Sequence, residues 1–308
     1  MQLKFFSGLI LIAILLTACG DNENQQDGKP GKLKVVTTTG MIADVLREVA
    51  GDSATVTEIM GPGVDPHVYK ASQGDLKKLT GADMIFYNGL HLEGKMGEVL
   101  EKLARQKPVF AVAESVDTSR LLHAPGYQDA FDPHIWFDVS LWQAAMENAV
   151  NFLVGQDTAN AEYYRKNWEA YRARMEDVHE ETRRKVRQIP SSQRVLITAH
   201  DAFHYFGNAY NIEVRGLQGI STLSEYGVRD VQNLAEFITE NKIKAVFVET
   251  SVSEKAINAV VKGARERGHI VKIGGSLYSD AMGPDDTAAG TYLGMVRTNV
   301  NTIVNSLK

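Results

Sequence analysis

The sequence predicts two Rossmann-like α/β lobes with mainly parallel sheets, joined by one long backbone helix. Three observations carry this expectation. Short β-like runs alternate with helical ones from Lys32 onward, the rhythm of a parallel sheet covered by helices. The alternation is interrupted once and then resumes. The interruption, from Thr158 to Gln188, is a polar helical stretch without a single Gly or Pro.

In the first lobe, "LKVVTTT" reads as a strand and "GMIADVLREVAG" as the helix after it. "ATVTEIM" is a second strand, "QGDLKKLTGA" a helix, "DMIFYNG" a strand, "EGKMGEVLEKLARQ" a helix and "PVFAVA" a strand. In the interrupting stretch Tyr164, Trp168, Tyr171, Met175, Val178, Thr182 and Ile189 fall largely at spacings of four and three, which gives one apolar face. Pro190 ends it. Roughly thirty residues at about 1.5 Å each make a rod of about 45 Å, enough to run along both lobes. The second lobe follows with "RVLITA", a short helix from Ala202, "IEVRGL", a helix over "VRDVQNLAEFITENK", and the strand "AVFVET". It closes with a helix over "SEKAINAVVKGARERG", the strand "HIVKIGG" and a helix over "GTYLGMVRTNVNTIVNSL". The expected division is 1–18 signal peptide, 19–31 lipidated flexible tether, 32–157 first lobe, 158–189 linking helix and 190–308 second lobe.

The N-terminus reads as a targeting segment. Lys4 precedes an apolar run too short to span a bilayer comfortably, and Leu16-Thr17-Ala18-Cys19 has the form of a bacterial lipobox, with Cys19 as the lipidated residue. Cys19 is the sole cysteine, so no disulfide is expected. The apolar-free "GDNENQQDGKPGK" after it has the composition of a flexible leash. A formal charge of −5, with no dense Lys/Arg cluster, argues against a nucleic-acid surface.

The candidate site is a set of three histidines and a carboxylate: His67, His134, His200 and Asp280. The tripeptide Asp-Pro-His occurs twice, at 65–67 and 132–134, and its proline stiffens the loop that aims each imidazole. His67, His200 and Asp280 each follow a β-like run, which places them at the carboxyl ends of strands, where open α/β sheets bind ligands. Together the four read as one metal site between the lobes. His204, four residues beyond His200, is the rival histidine and a candidate i,i+4 chelating partner. Glu249, at the end of "AVFVE", competes with Asp280 as ligand or orients a ligand imidazole from behind. Asp201 reads as a helix N-cap. His91, His123, His179 and His269 read as structural or exposed.

At these residues, and in "VDPHVYKAS", "YNGLHLE", "FDPHIWFDV", "TAHDAFHYFG", "GLQGISTLSE" and "IGGSLYSDAMG", the chain resembles the TroA-like metal-binding lipoproteins of bacterial ABC transporters, solute-binding protein family 9. The resemblance runs from the lipobox to Lys308. It implies a binding protein and not an enzyme, lipid-anchored outside the cytoplasm on the periplasmic side or cell surface; monomer is the default expectation for its oligomeric state. Such a protein captures Zn2+ or Mn2+, with Fe2+ a further candidate cargo, and delivers it to a membrane permease served by a separate ATPase subunit. Two other classes stand beside this reading. A zinc hydrolase would use three histidines and a metal-bound water, with Glu249 or Asp280 as base, but no His-Glu-x-x-His motif or nucleophile elbow is present. A surface adhesin would bind a host ligand whether or not it held metal. Three imidazoles and one carboxylate favour zinc over manganese in intrinsic affinity, while a bidentate carboxylate makes room for manganese.

Overall fold

The computed structural model describes residues 32–124 and 130–308. Cys19, the signal segment and the tether lie outside them. Residues 32–308 form one compact unit.

Strand β1 (Leu33–Thr39) runs into helix α1 (Gly40–Ala50), and β2 (Ala54–Met60), α2 (Gln73–Gly81), β3 (Met84–Tyr87), α3 (Gly97–Ala104) and β4 (Val109–Ala111) follow. The four strands make one sheet in the order β2-β1-β3-β4, every pair parallel. Period-two alternation assigns the side chains to two layers. Val35 and Phe86 point into the main core, whereas Val36 and Ile85 point into a second apolar layer with Leu79, Leu100 and Leu103 of α2 and α3. Helix α2 starts on a capping box, in which Ser72 and Asp75 satisfy each other's backbone N–H groups.

Helix α4 (Val139–Gln156), a 3-10 turn (Thr158–Asn160) and α5 (Ala161–Val186) follow. The 26 residues of α5 give a rod of about 39 Å, shorter than the sequence suggests because the first turn is 3-10 and the helix stops before Pro190. Tyr164, Trp168, Tyr171, Met175, Val178 and Thr182 form its buried face, as the spacing requires.

The rest comprises β5 (Val195–His200), α6 (His204–Tyr210), β6 (Glu213–Gln218), α7 (Val228–Glu240), β7 (Ala245–Glu249), α8 (Lys255–Glu266), β8 (Lys272–Leu277) and α9 (Tyr292–Leu307). Strands β5 and β6 pair in parallel, as do β7 and β8, and β5 lies beside β7. The short helix expected from Ala202 begins at His204. The Gly274-Gly275 pair lies inside β8, where the register slips opposite Val246 and Phe247. Gly275 has φ +143, and a Cβ on Gly274 would sit 2.7 Å from Phe247 and 2.8 Å from Ser306 of α9. Glycine is needed there because a bulge and a helix crowd the same backbone.

The largest core cluster is continuous. It runs from Val35 and Phe86 through Tyr164, Trp168 and Tyr171 of α5 to Phe247, Leu277 and Met295. Helix α5 packs on α1 from the first half and on α9 from the second. Asp44 of α1 ties the two ends together, accepting from the Tyr171 hydroxyl at 2.9 Å and the Tyr292 N–H at 3.0 Å.

Candidate metal centre

His200 is the last residue of β5 and Glu249 the last of β7, so both stand at carboxyl ends of parallel strands. His67 lies in the loop after β2, and Asp280 three residues beyond β8. His134 caps a 3-10 turn (Ile135–Phe137) that leads into α4. The chain folds these four distant positions onto one point. One donor atom from each of His67, His134, His200 and Asp280 lies within 4.8 Å of every other. All four side chains are buried, at 2% exposure or less.

The arrangement places like groups face to face. His67 Nε2 and His134 Nε2 approach to 3.3 Å. Asp280 turns both oxygens to the same point, Oδ1 at 3.3 Å from His134 Nε2 and Oδ2 at 3.2 Å from His200 Nε2 and 3.8 Å from His67 Nε2. Neither Asp280 oxygen has a hydrogen bond of good geometry. Three imidazole nitrogens and a carboxylate converging in a buried place are costly to keep there, and a divalent cation among them removes the cost. The donor set therefore fits a metal ion, with five donor atoms if both Asp280 oxygens engage.

Behind the converging donor atoms sit two carboxylates that contact the imidazoles. Asp132 Oδ1 accepts from the His134 backbone N–H at 2.9 Å and lies 2.7 Å from its Nδ1, which leaves Nε2 for the centre. Glu249 serves His200 in the same way, with Oε1 accepting the backbone N–H at 2.9 Å and Oε2 2.5 Å from Nδ1. Glu249 thus lies against His200 from behind and stands outside the four-residue cluster. The Trp136 indole donates to the Ser279 carbonyl at 3.1 Å, which fixes the backbone next to Asp280 from the other half of the molecule.

His204 is not a member of the cluster. His200 ends a strand and His204 starts a helix, so no i,i+4 pair exists; His204 Nδ1 lies 3.4 Å from Asp132 Oδ2 and its Nε2 3.6 Å from Asp201 Oδ1. Asp201 does not cap α6, whose N-cap is Phe203; its Oδ1 accepts the Gly216 N–H instead. His91 and His123 are exposed, His179 contacts Tyr210 and Arg183, and His269 reaches the Ile243 carbonyl. Sequence reasoning missed the role of Asp132. Its signal was present in the repeated tripeptide, but the repeat misleads: Asp65 Oδ1 accepts the His67 backbone N–H at 2.9 Å, and its Oδ2 turns away to Thr222.

Charge follows from this geometry. Burial, aided by His134 and His200, holds His67 down to about 3, so its imidazole is neutral. Burial opposes a charge on His134, but Asp132 and Asp280 outweigh it and push His134 up to about 9. Against the same burial penalty, Glu249 and Asp280 raise His200, and the two histidines hold Asp280 well below the usual carboxylate range.

A buried His3Asp centre, with His67, His200 and Asp280 at or beyond the carboxyl ends of parallel strands and His134 before α4, in a fold of two α/β halves on one long helix, defines a solute-binding protein of the two-lobed α/β class. The chain belongs to the family described as "Zinc-uptake complex component A periplasmic", whose family model matches residues 35–306. It is 49% identical to the manganese-binding lipoprotein MntA of Bacillus subtilis over the whole of both chains. It is 45% identical to the zinc-binding protein TroA of Treponema pallidum, over 94% of this chain and 92% of that one. The solved structure of the Treponema pallidum periplasmic zinc-binding protein TroA superposes with a TM-score of 0.88, covering 90% of this chain and 99% of that one.

Proposed function

We propose that this protein captures a divalent transition metal, zinc or manganese, outside the cytoplasm and hands it to the permease of an ABC transporter. His67, His134, His200 and Asp280 are its ligands. The single observation that carries this reading is their convergence, four buried residues with donor atoms all within 4.8 Å. The names of the relatives support the transport role and divide over the metal, manganese in one and zinc in another. The donor set suits both ions: three imidazoles favour zinc, and two oxygens of Asp280 facing the centre allow the higher coordination number that manganese takes. Fe2+ lies between them in preference. In this reading Cys19 carries the lipid anchor, 32–157 and 190–308 are the lobes, 158–189 links them, and a separate ATPase subunit drives the permease.

The protein is proposed to be a carrier and not a hydrolase. The hydrolase alternative assigns Glu249 or Asp280 as a free carboxylate base beside a metal-bound water. Here both oxygens of Asp280 face the imidazoles, and both oxygens of Glu249 are engaged with His200.

The test uses the soluble body without Cys19, stripped of metal and equilibrated with equal zinc and manganese, with bound metal read by mass spectrometry. One equivalent of metal, lost or weakened in His200→Ala, is the expected result, and the ratio of ions gives the intrinsic preference. No stoichiometric metal overturns the reading.

A further inference from the structure

The two Asp-Pro-His segments are identical in sequence and differ in what their aspartates hold. Asp132 stays within the centre, whereas Asp65 reaches across the molecule. Its Oδ2 accepts from the Thr222 hydroxyl at 2.7 Å, a bond between the first half of the chain and the loop that follows β6. The same carboxylate holds the His67 backbone N–H through Oδ1, so one side chain connects a candidate ligand to the opposite loop.

That loop is a self-contained piece. Gln218, the last residue of β6 and the register partner of His200, donates from Nε2 to the carbonyls of Thr222 and Ser224 at 2.6 and 2.5 Å. The Ser224 N–H closes a turn on the Ser221 carbonyl at 2.9 Å. Among the described residues, the Thr222–Asp65 bond is the one side-chain hydrogen bond from this loop to the first half. Gly219, Ile220, Ser221 and Ser224 form one wall of a cavity of about 200 Å³, and His67 is the member of the centre that this cavity reaches. The cavity thus leads from the loop to the centre on the His67 side.

We propose that the 219–224 loop is the gate through which metal reaches and leaves the centre, and that the Thr222–Asp65 hydrogen bond is its bolt. The proposal rests on the metal-capture reading above. Thr222 touches no candidate ligand and acts by positioning. Opening the bolt frees the loop to swing about Gln218 as a unit and releases the segment carrying His67. A gate changes passage in both directions, so the rates move together while the equilibrium affinity stays nearly fixed.

The experiment compares wild-type protein, Thr222→Val and Thr222→Ser. Zinc release is followed by stopped-flow into excess chelator, zinc uptake by stopped-flow mixing, and zinc stoichiometry and affinity at equilibrium. Valine keeps the shape and removes the donor. A hydrogen bond to a charged acceptor is strong enough that its loss is expected to speed release and uptake each by roughly tenfold. Affinity is expected to change by less than about threefold, and serine, which keeps the hydroxyl, to restore wild-type rates. Exchange in the valine variant indistinguishable from wild type overturns the gate and leaves metal capture standing. Faster release with unchanged uptake also overturns it, because that pattern marks a weakened site. Wild-type protein that holds neither zinc nor manganese at equilibrium overturns metal capture and the gate with it.

Discussion

Replacing Asp132 with asparagine separates charge from shape at the centre. Oδ1 of Asp132 receives both the His134 backbone N–H and the contact from Nδ1, so an amide oxygen in the same place keeps both. The other arm faces His204 Nδ1, which accepts from an amide once it is neutral. Only the negative charge is lost. Orienting groups of this kind are worth roughly 10- to 100-fold in metal affinity, or about 1.4–2.7 kcal/mol. The same charge also holds a proton on metal-free His134, pushed up to about 9. Below that pH, metal must displace the proton, and wild-type affinity falls about tenfold per pH unit on this account alone. Asp132→Asn lowers the His134 pKa, so the variant escapes part of this competition. Its deficit is therefore expected to be greatest near about pH 9, roughly 10- to 100-fold, and to shrink toward about pH 7. Competitive titration with a zinc chelator of known affinity across this range measures it. A deficit that stays constant with pH, or none near pH 9, refutes the reasoning.

Glu249→Gln is expected to weaken zinc binding more than Asp132→Asn in the same titration. Each Glu249 oxygen faces a different nitrogen of His200, and an amide sets a donor against one of them. Gly274→Ala is expected to lower the denaturation midpoint by about 1–3 kcal/mol worth of stability, because its Cβ meets Phe247 and Ser306 inside 3 Å. A variant as stable as wild type would show that α9 is not packed against β8 as described. For metal-free protein the folded pKa of His134 lies above its ordinary 6.5 and that of His67 below it. The stability His134 confers is complete below 6.5 and lost as pH rises through about 9; neutral His67 costs stability as pH falls from 6.5 toward about 3. Thermal midpoints of metal-free protein are expected to peak near 6.5 and decline on both sides, and a monotonic rise with pH would contradict the assignment.

Much of the fold was legible because each strand and helix carries its own period. Alternating runs place Val35 and Val36 on opposite layers, and the four-and-three spacing of Tyr164 to Thr182 finds the buried face of α5. The centre was legible for a different reason: His67, His200 and Asp280 follow strands, whose carboxyl ends are where open α/β sheets bind ligands, and His134 repeats the tripeptide that carries His67. Less local facts stayed hidden. The role of Gly274 depends on Phe247 and Ser306, and that of Gly275 on Thr302, each more than twenty residues away in sequence. Asp65 and Asp132 sit in identical tripeptides, and only the folded chain decides which carboxylate meets a ring and which meets Thr222.

The continuous core has a consequence for the lifetime of the protein. The largest buried cluster draws side chains from both halves and from the helix between them, so unfolding is expected to be a single cooperative event. Any ion bound at the centre then stabilises every residue of the body, by an amount that grows with its free concentration. A cell exporting such a carrier obtains turnover keyed to supply. Molecules that find metal resist extracytoplasmic proteases as whole units, and those that stay empty are cleared as whole units too.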